Sequence, residues 1–243
     1  MFRNLILAAS AAVLAMGGSA QATEFVQNGG FELSSLTHNY QFGAGFGGQA
    51  VNNWTGAGGN QLQFYYRGGT QTFENATNQF NDPLGYFHPS FSALSSQGGN
   101  FVGLDGDSQY RGQISQLITG LTVGQTYKLT FDWAAAQLIN RSGATTEQLQ
   151  VMFGADTFNT AVVPNISGGF SGWMSESHSF TATSTSQLLT FLSVGTPNGL
   201  PPIAALDAVS LTGGVPEPAT WALMLMGFGA VGFAARRVRR AAA

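Results

Sequence analysis

The sequence predicts an all-β protein, a β-sandwich of the jelly-roll kind, on three observations. Apolar residues recur with a period of two: Tyr127, Leu129, Phe131 and Trp133 alternate with Lys128, Thr130 and Asp132, and Leu149, Val151 and Phe153 with Gln148, Gln150 and Met152. That is the pattern of a strand with one buried and one wet face. No stretch of the body holds a 3.6-residue apolar period. Turn signals separate the runs, at Gly120-Leu121-Thr122-Val123-Gly124-Gln125, Gly168-Gly169 and Pro197-Asn198-Gly199.

At the N-terminal end, Arg3 precedes an apolar run from Leu5 to Met16, and Ser19-Ala20-Gln21-Ala22 supplies small residues in the Ala-x-Ala pattern. These features predict a secretory signal peptide over residues 1–22, cut after Ala22. A run of about a dozen residues is too short to span a bilayer core of roughly 30 Å, which argues against an uncleaved anchor.

The body is expected over residues 23–214, one domain of the larger all-β kind. Besides the two runs above, strands are expected over residues 61–67, 100–105, 113–119, 174–181, 187–194 and 205–211. Eight or more short strands in one domain imply a sandwich, most simply a jelly roll.

A second apolar stretch, Ala219 to Ala235, follows Pro216-Glu217-Pro218 and closes with Arg236, Arg237, Arg239 and Arg240. Seventeen residues make about 26 Å of helix, adequate for a thin membrane. The arginines would stay cytoplasmic, Trp221 would sit at the outer interface, and the body would lie outside.

Composition excludes several functions. Only 9% of the chain is charged and it contains 33 glycines, 19 phenylalanines and no cysteine. There is therefore no disulfide framework, no thiol nucleophile and no cysteine-based zinc or iron–sulfur site. The body carries four basic residues, Arg67, Arg111, Lys128 and Arg141, against eleven acidic ones. Nucleic acid is excluded as a partner, because its binding rests on Lys and Arg neutralising phosphates. Such a surface suits calcium or neutral sugars.

The Pro216-Glu217-Pro218-x-x-Trp221-Ala222 motif, the apolar span and the terminal arginines, in that order, closely resemble the PEP-CTERM sorting signal of exopolysaccharide-producing Gram-negative bacteria, in its PEPxxWA form. The resemblance covers about the last thirty residues, expected as a unit over 215–243 with a transmembrane helix at 219–235. It implies that an exosortase cuts near the motif, so that the span is a transient inner-membrane tether. The protein would be exported, anchored briefly, and then rest at the cell surface or in the extracellular matrix. A plain tail anchor is the alternative.

The body carries a second resemblance. Asn28-Gly29-Gly30-Phe31-Glu32, the Gly120 to Phe131 run and Leu206-Asp207-x-Val209-Ser210-Leu211 are similar to galactose-binding-like jelly rolls, a group that includes many carbohydrate-binding modules. In the resembling modules the acids matching Glu32 and Asp207 help hold a structural Ca²⁺, and hard oxygen ligands without cysteine favour Ca²⁺ over zinc. A neutral hydrogen-bonding role for both acids is the alternative. On a regular strand Asp207 would share the inward face of Val209 and Leu211. Asp105-Gly106-Asp107 has the character of a calcium loop but lacks the rest of the spacing, so a strand-ending turn is expected there.

The segment from Gly68 to Gly99 is long for a connection, and loops of that length are usually functional or disordered. It contains Phe87 and Phe91 and follows Tyr65 and Tyr66. Aromatic rings among amides can stack on a sugar ring while the amides read its hydroxyls, so these four are the candidate glycan-binding residues. The competing reading places such rings in the core.

Catalytic signals are scarce. Gly43-x-Gly45-x-x-Gly48 lacks a strand–helix unit around it, His38, His88 and His178 stand alone, and no G-x-S-x-G elbow is present. The expectation is a secreted, non-enzymatic protein binding exopolysaccharide or another glycan. The alternatives are a matrix protein acting through self-association, and a polysaccharide hydrolase.

Overall fold

The computed structural model describes residues 22–36, 40–42, 51–56, 63–66, 94–138, 141–213 and 227–229. Its strands are β1 (Tyr40–Phe42), β2 (Thr55–Gly56), β3 (Gln63–Tyr66), β4 (Phe101–Asp105), β5 (Gln113–Thr119), β6 (Thr126–Gln137), β7 (Thr145–Phe153), β8 (Asp156–Asn159), β9 (Val163–Asn165), β10 (Met174–Thr181), β11 (Ser186–Thr196) and β12 (Pro202–Gly213). They form two antiparallel sheets, ordered β1-β3-β4-β12-β6-β10 and β2-β5-β11-β7-β8, with β9 also on β7. From β4 onward the chain passes back and forth between the sheets, except that β7, β8 and β9 follow one another in the second. The inner four-strand orders, β4-β12-β6-β10 and β5-β11-β7-β8, are those of a jelly roll.

All eight expected strands are present. The four that periodicity missed, β1, β2, β8 and β9, have two to four residues each, too short to show a period. The chain divides by its contacts into a unit over Thr23–Gly214 and a second made of Met1–Ala22 with Val215–Ala243. Of the second, residues 22 and 227–229 are described, the latter as a single helical turn. No helix among the described residues is long and apolar enough to cross a membrane. The expected span at 219–235 lies outside them apart from 227–229, as do the signal-peptide residues before Ala22.

Tyr127, Leu129, Phe131 and Trp133 of β6 face the core between the sheets, against Leu149, Val151 and Phe153 of β7, Phe191 of β11 and Leu206 of β12. Phe131 meets Phe191 edge to face at 5.1 Å. The hydroxyl of buried Tyr127 accepts a bond from the Thr122 backbone N–H at 2.8 Å, tying the expected turn to the core.

One expectation for β6 fails along its length. Its opposite face is wet only as far as Thr130: Asp132 is buried, and Ala134 and Ala136 form a second apolar cluster with Phe101, Ile203 and Ala205. The outer face of the first sheet is thus covered at this end, where Leu138, Phe170 and Trp173 pack against the alanines and their neighbours.

The Asp105-Gly106-Asp107 segment is a strand-ending turn. Asp105 closes β4, while Asp107 accepts from the Gln109 N–H at 2.9 Å and, across to the β11–β12 connection, from the Gly199 N–H at 2.6 Å.

Candidate functional site

The Asn28-Gly29-Gly30-Phe31-Glu32 segment organises two neighbouring sites. Phe31 is buried against Trp54 at 5.3 Å and pins the segment to the core. Gly29 lies so close to β12 that a Cβ would stand 1.8 Å from the Val209 carbonyl oxygen, so only glycine allows the approach.

On one side of that segment is an acidic site. β12 carries a one-residue bulge: Asp207 pairs with Asp132, but Ser210 pairs with Thr130. Ala208 adopts φ 54° there and Val209 donates its N–H to Gly29 at 3.0 Å. An extra residue reverses side-chain direction along a strand. Asp207 therefore does not share the inward face of Val209 and Leu211, as a regular strand would require. It lies on the outer face of the first sheet, opposite Asp132, and is buried beneath the segment that precedes β4.

That segment binds three carboxylates in turn. The Ser95 hydroxyl donates to Asp207, the Ser96 N–H to Asp132 at 2.9 Å, and the Asn100 N–H to Glu32 at 2.6 Å. Ser175 also donates to Asp132 at 2.6 Å, and the Ala208 N–H to Asp207 at 2.7 Å. Burial, reinforced by the charges of Glu32 and Asp132, pushes Asp207 up to about 7 despite the bonds from Ser95 and Ala208. For Asp132 burial works the same way, but the bonds from Ser175 and Ser96 outweigh it and hold its carboxyl below the ordinary range. Sequence reading missed Asp132, because its partner across the strands is known only from register.

Two neighbouring carboxylates with opposed shifts have the electrostatic form of an acid–base pair. The geometry works against that role, since Asp207 is covered and its two oxygens are taken by Ser95 and Ala208.

A Ca²⁺ ion needs oxygens converging on one point. A Cβ placed on Gly30 would lie 2.9 Å from Gln97 Oε1 and 3.9 Å from Asp207 Oδ1, so two oxygens border this glycine, while Glu32 approaches it through Cγ and turns its Oε1 to the Asn100 N–H. The negative charge fits a cation. Asp132 supplies none of the atoms nearest that position, and no group of three or more His, Cys, Asp or Glu among the described residues could hold a metal. A cavity of about 490 Å³ alongside is lined by Asp132, Glu176 and the hydroxyls of Thr130, Ser175, Ser177 and Ser210.

On the other side of the motif is a groove of about 640 Å³ between residues 51–55 and strands β5 and β11. The Asn28 side chain builds its wall, donating to the Asn52 carbonyl at 2.8 Å, while the Asn28 carbonyl accepts from Trp54 Nε1 at 2.9 Å. Gln116 forms the floor: its amide accepts from the Gln27 N–H at 2.8 Å and donates to the carbonyls of Gln27 at 2.7 Å and Asn53 at 3.1 Å. Exposed Asn52, Asn53 and Thr55 offer amides and a hydroxyl. Leu117 and Leu188, directly paired across β5 and β11 and 61% and 47% exposed, add an apolar strip. No charged residue lines the groove.

Of the aromatic candidates, Tyr65 is corrected. It is 1% exposed, paired with core residue Val102, and its hydroxyl donates to the Phe31 carbonyl at 3.3 Å, so its ring belongs to the core. The side chains of Tyr66, Phe87 and Phe91 lie outside the described residues, as do Pro216, Glu217, Pro218, Trp221, Arg236 and Arg237.

Residues 92–211 match a family described as a protein of unknown function (DUF642). No curated protein matches the chain. Among solved structures the chain is similar to a family 61 carbohydrate-binding module in complex with β-1,4-galactotriose, at 15% identity over 78% of this chain and 97% of that one, with a TM-score of 0.38. It is also similar to the CBM22-1 xylan-binding domain of Paenibacillus barcinonensis Xyn10C, at 12% identity over 81% and 97%, TM-score 0.31. A third is the enzymatically active domain of bacteriophage CBA120 tailspike protein 4, at 13% over 78% and 21%, TM-score 0.36. Residues 214–240 match the PEP-CTERM protein-sorting motif, and the chain thus carries that motif behind a jelly-roll body.

Proposed function

We propose that this is an exported, non-catalytic glycan-binding protein that takes a neutral saccharide in the groove between residues 51–55, β5 and β11. The observation that carries the reading is the groove's chemistry: amides and hydroxyls beside the Leu117–Leu188 strip, with no charged side chain lining it. Its volume falls within the roughly 300 to 1,000 Å³ usual for ligand sites. Uncharged donors and acceptors match sugar hydroxyls, and the apolar strip matches the C–H face of a pyranose. An anionic polymer would find no cation there.

The sorting motif supports the rest of the life history. Export through the inner membrane leaves the 219–235 span as a transient tether, an exosortase removes it, and the body remains at the cell surface or in the matrix with the cell's own exopolysaccharide. Tyr66, Phe87 and Phe91 belong to the same proposal as further ring contacts. Ca²⁺ is proposed as a structural ion held by Glu32 and Asp207, with the Gln97 amide oxygen beside them; it would offset the negative charge gathered there and tie the motif segment to β12.

The test is saturation binding of the full chain in detergent to a panel of neutral and anionic polysaccharides, with Asn52→Ala, Leu117→Asp, Tyr66→Ala, Phe87→Ala and Phe91→Ala variants. Selective binding to a neutral polymer, weakened at least tenfold by Leu117→Asp, supports the groove. Binding to no glycan would sink the reading. Binding unchanged by both groove substitutions but weakened by the aromatic ones would move the site to the loop.

A further inference from the structure

Strand edges distinguish one surface of the sandwich from the others. The outermost strands of the two sheets are β1 and β10, and β2 and β8. β1, β2 and β8 have three, two and four residues, and the three-residue β9 contains Pro164. Short edges and prolines are how proteins prevent edge-to-edge pairing. β10 has neither protection. It has eight residues, no Lys and no Pro, and it pairs with β6 without a register break from Met174–Trp133 to Thr181–Thr126. Among the described residues nothing pairs with its other side.

Side chains on β10 are arranged for a partner of one kind. Ser175, Ser177 and Ser179 are exposed on one face, and Met174, Glu176 and His178 are half-buried on the other. His178 is held in place by stacking on Phe158 at 4.2 Å and by Phe180 at 4.7 Å. Glu176 accepts a bond from Trp133 Nε1 at 3.5 Å. We infer that β10 is a self-association edge, pairing antiparallel with β10 of a second copy of this chain about a two-fold axis through Ser177.

The register follows from charge. In antiparallel pairing, opposed residues share a face, so the axis must pass through a residue. Through Glu176 it sets carboxylate against carboxylate, and like charges directly opposite are destabilising; through His178 it sets Glu176 against buried Phe180, which offers the carboxylate no polar partner. Through Ser177 it sets Glu176 against His178 of the second copy twice over, Met174 against Phe180, Ser175 against Ser179, and Ser177 against itself. The contact is self-complementary and closes as a two-fold dimer. Two six-stranded sheets become one of twelve. The inference is independent of the glycan reading.

The chain has no cysteine, which makes the test clean. The full chain in detergent is oxidised mildly after a Ser177→Cys substitution. Directly opposed Cβ atoms lie about 4.5 to 5.5 Å apart, within disulfide reach after small adjustment. Ser175→Cys alone should not cross-link, its copies being about 13 Å apart along the strands, but mixed with Ser179→Cys chains it should. Sedimentation of a Ser177→Lys variant should show a dimer at least tenfold weaker, with the melting temperature of the monomer unchanged. The inference is overturned if Ser177→Cys cross-links no more than a control at exposed Thr119. It is equally overturned if Ser175→Cys alone cross-links as well as the mixture, or if the edge captures an unrelated chain in place of its own copy.

Discussion

Asp207 and Asp132 stand directly opposite each other on neighbouring strands, and two consecutive residues of one segment hold them, Ser95 on Asp207 and Ser96 on Asp132. The segment supplies neutral donors and no positive charge. One carboxyl, covered, is pushed up to about 7; the other, better hydrogen-bonded, is held down. Among the described residues the donors to these two carboxyls are all neutral.

Calcium should raise the melting temperature and chelator should lower it, because a ligand that binds only the folded state stabilises by mass action. Thermal melts with calcium and with EDTA test this. A Glu32→Ala, Asp207→Ala double variant should lose the response, and an undiminished response would remove these two residues as ligands.

Glu147 makes stability fall as pH rises. Burial pushes its carboxyl up to about 7, against the bonds from Thr145 and Asn165, and its Oε2 has no partner among the described residues. A folded-state value above the unfolded one gives stability that is present below the unfolded value and lost as pH climbs to about 7. Buried Asp105, also near 7, acts in the same direction. Melting temperature should fall between pH 5 and 7 and level off above. In Glu147→Gln the fall should be shallower, with a gain on the order of 1 to 3 kcal/mol at pH 8 and little change at pH 5. An equal slope in the variant would show that Glu147 is not a source of it.

Gly99 sits at φ 78°, where an added Cβ would come 1.8 Å from Glu32 Oε1. Gly99→Ala should cost more than about 1 kcal/mol, from backbone strain together with the loss of the Glu32–Asn100 bond. Urea unfolding measures it. A neutral result would mean that the segment can shift without penalty.

Ala208 occupies the left-handed region at φ 54° inside the bulge. Replacing it with glycine should relieve roughly 1 kcal/mol of strain, less the added chain entropy of the unfolded state. Ala208→Gly should therefore be neutral or slightly stabilising in urea melts, whereas Ala208→Val should be clearly destabilising.

Gln116 holds the Gln27 and Asn53 backbones with three hydrogen bonds from one amide. Gln116→Ala should cost about 1 kcal/mol of stability by removing the partners of part-buried backbone groups. It should also weaken saccharide binding, because the groove loses its floor and the Gln27 and Asn53 backbones lose their tie. Binding that survives while stability drops would place the ligand away from residues 51–55.

Legibility in the sequence followed the range of each interaction. Period-two alternation located β6, β7 and six further strands, because alternation records which side of a strand meets the core and needs no partner to read. The turn glycines at 120 and 124 were legible for the same local reason, and both take positive φ. The Pro216-Glu217-Pro218 sorting motif was legible as well, being a short run of consecutive residues.

Other features were settled only when distant strands met. Asp207 looked inward until the bulge, set by Gly29 bonding Val209, turned it outward against Asp132. Tyr65 looked like a sugar platform until its pairing with Val102 placed it in the core. The groove was invisible, since Gln27, Asn53 and Gln116 are brought together by one side chain across 63 to 89 residues of chain. By itself the sequence determined the class of fold, the core-facing sides of β6 and β7 and the sorting motif, all of which are local patterns. Tertiary structure alone decided which polar groups face one another, because register between strands and the closure of long loops depend on the whole packed sandwich.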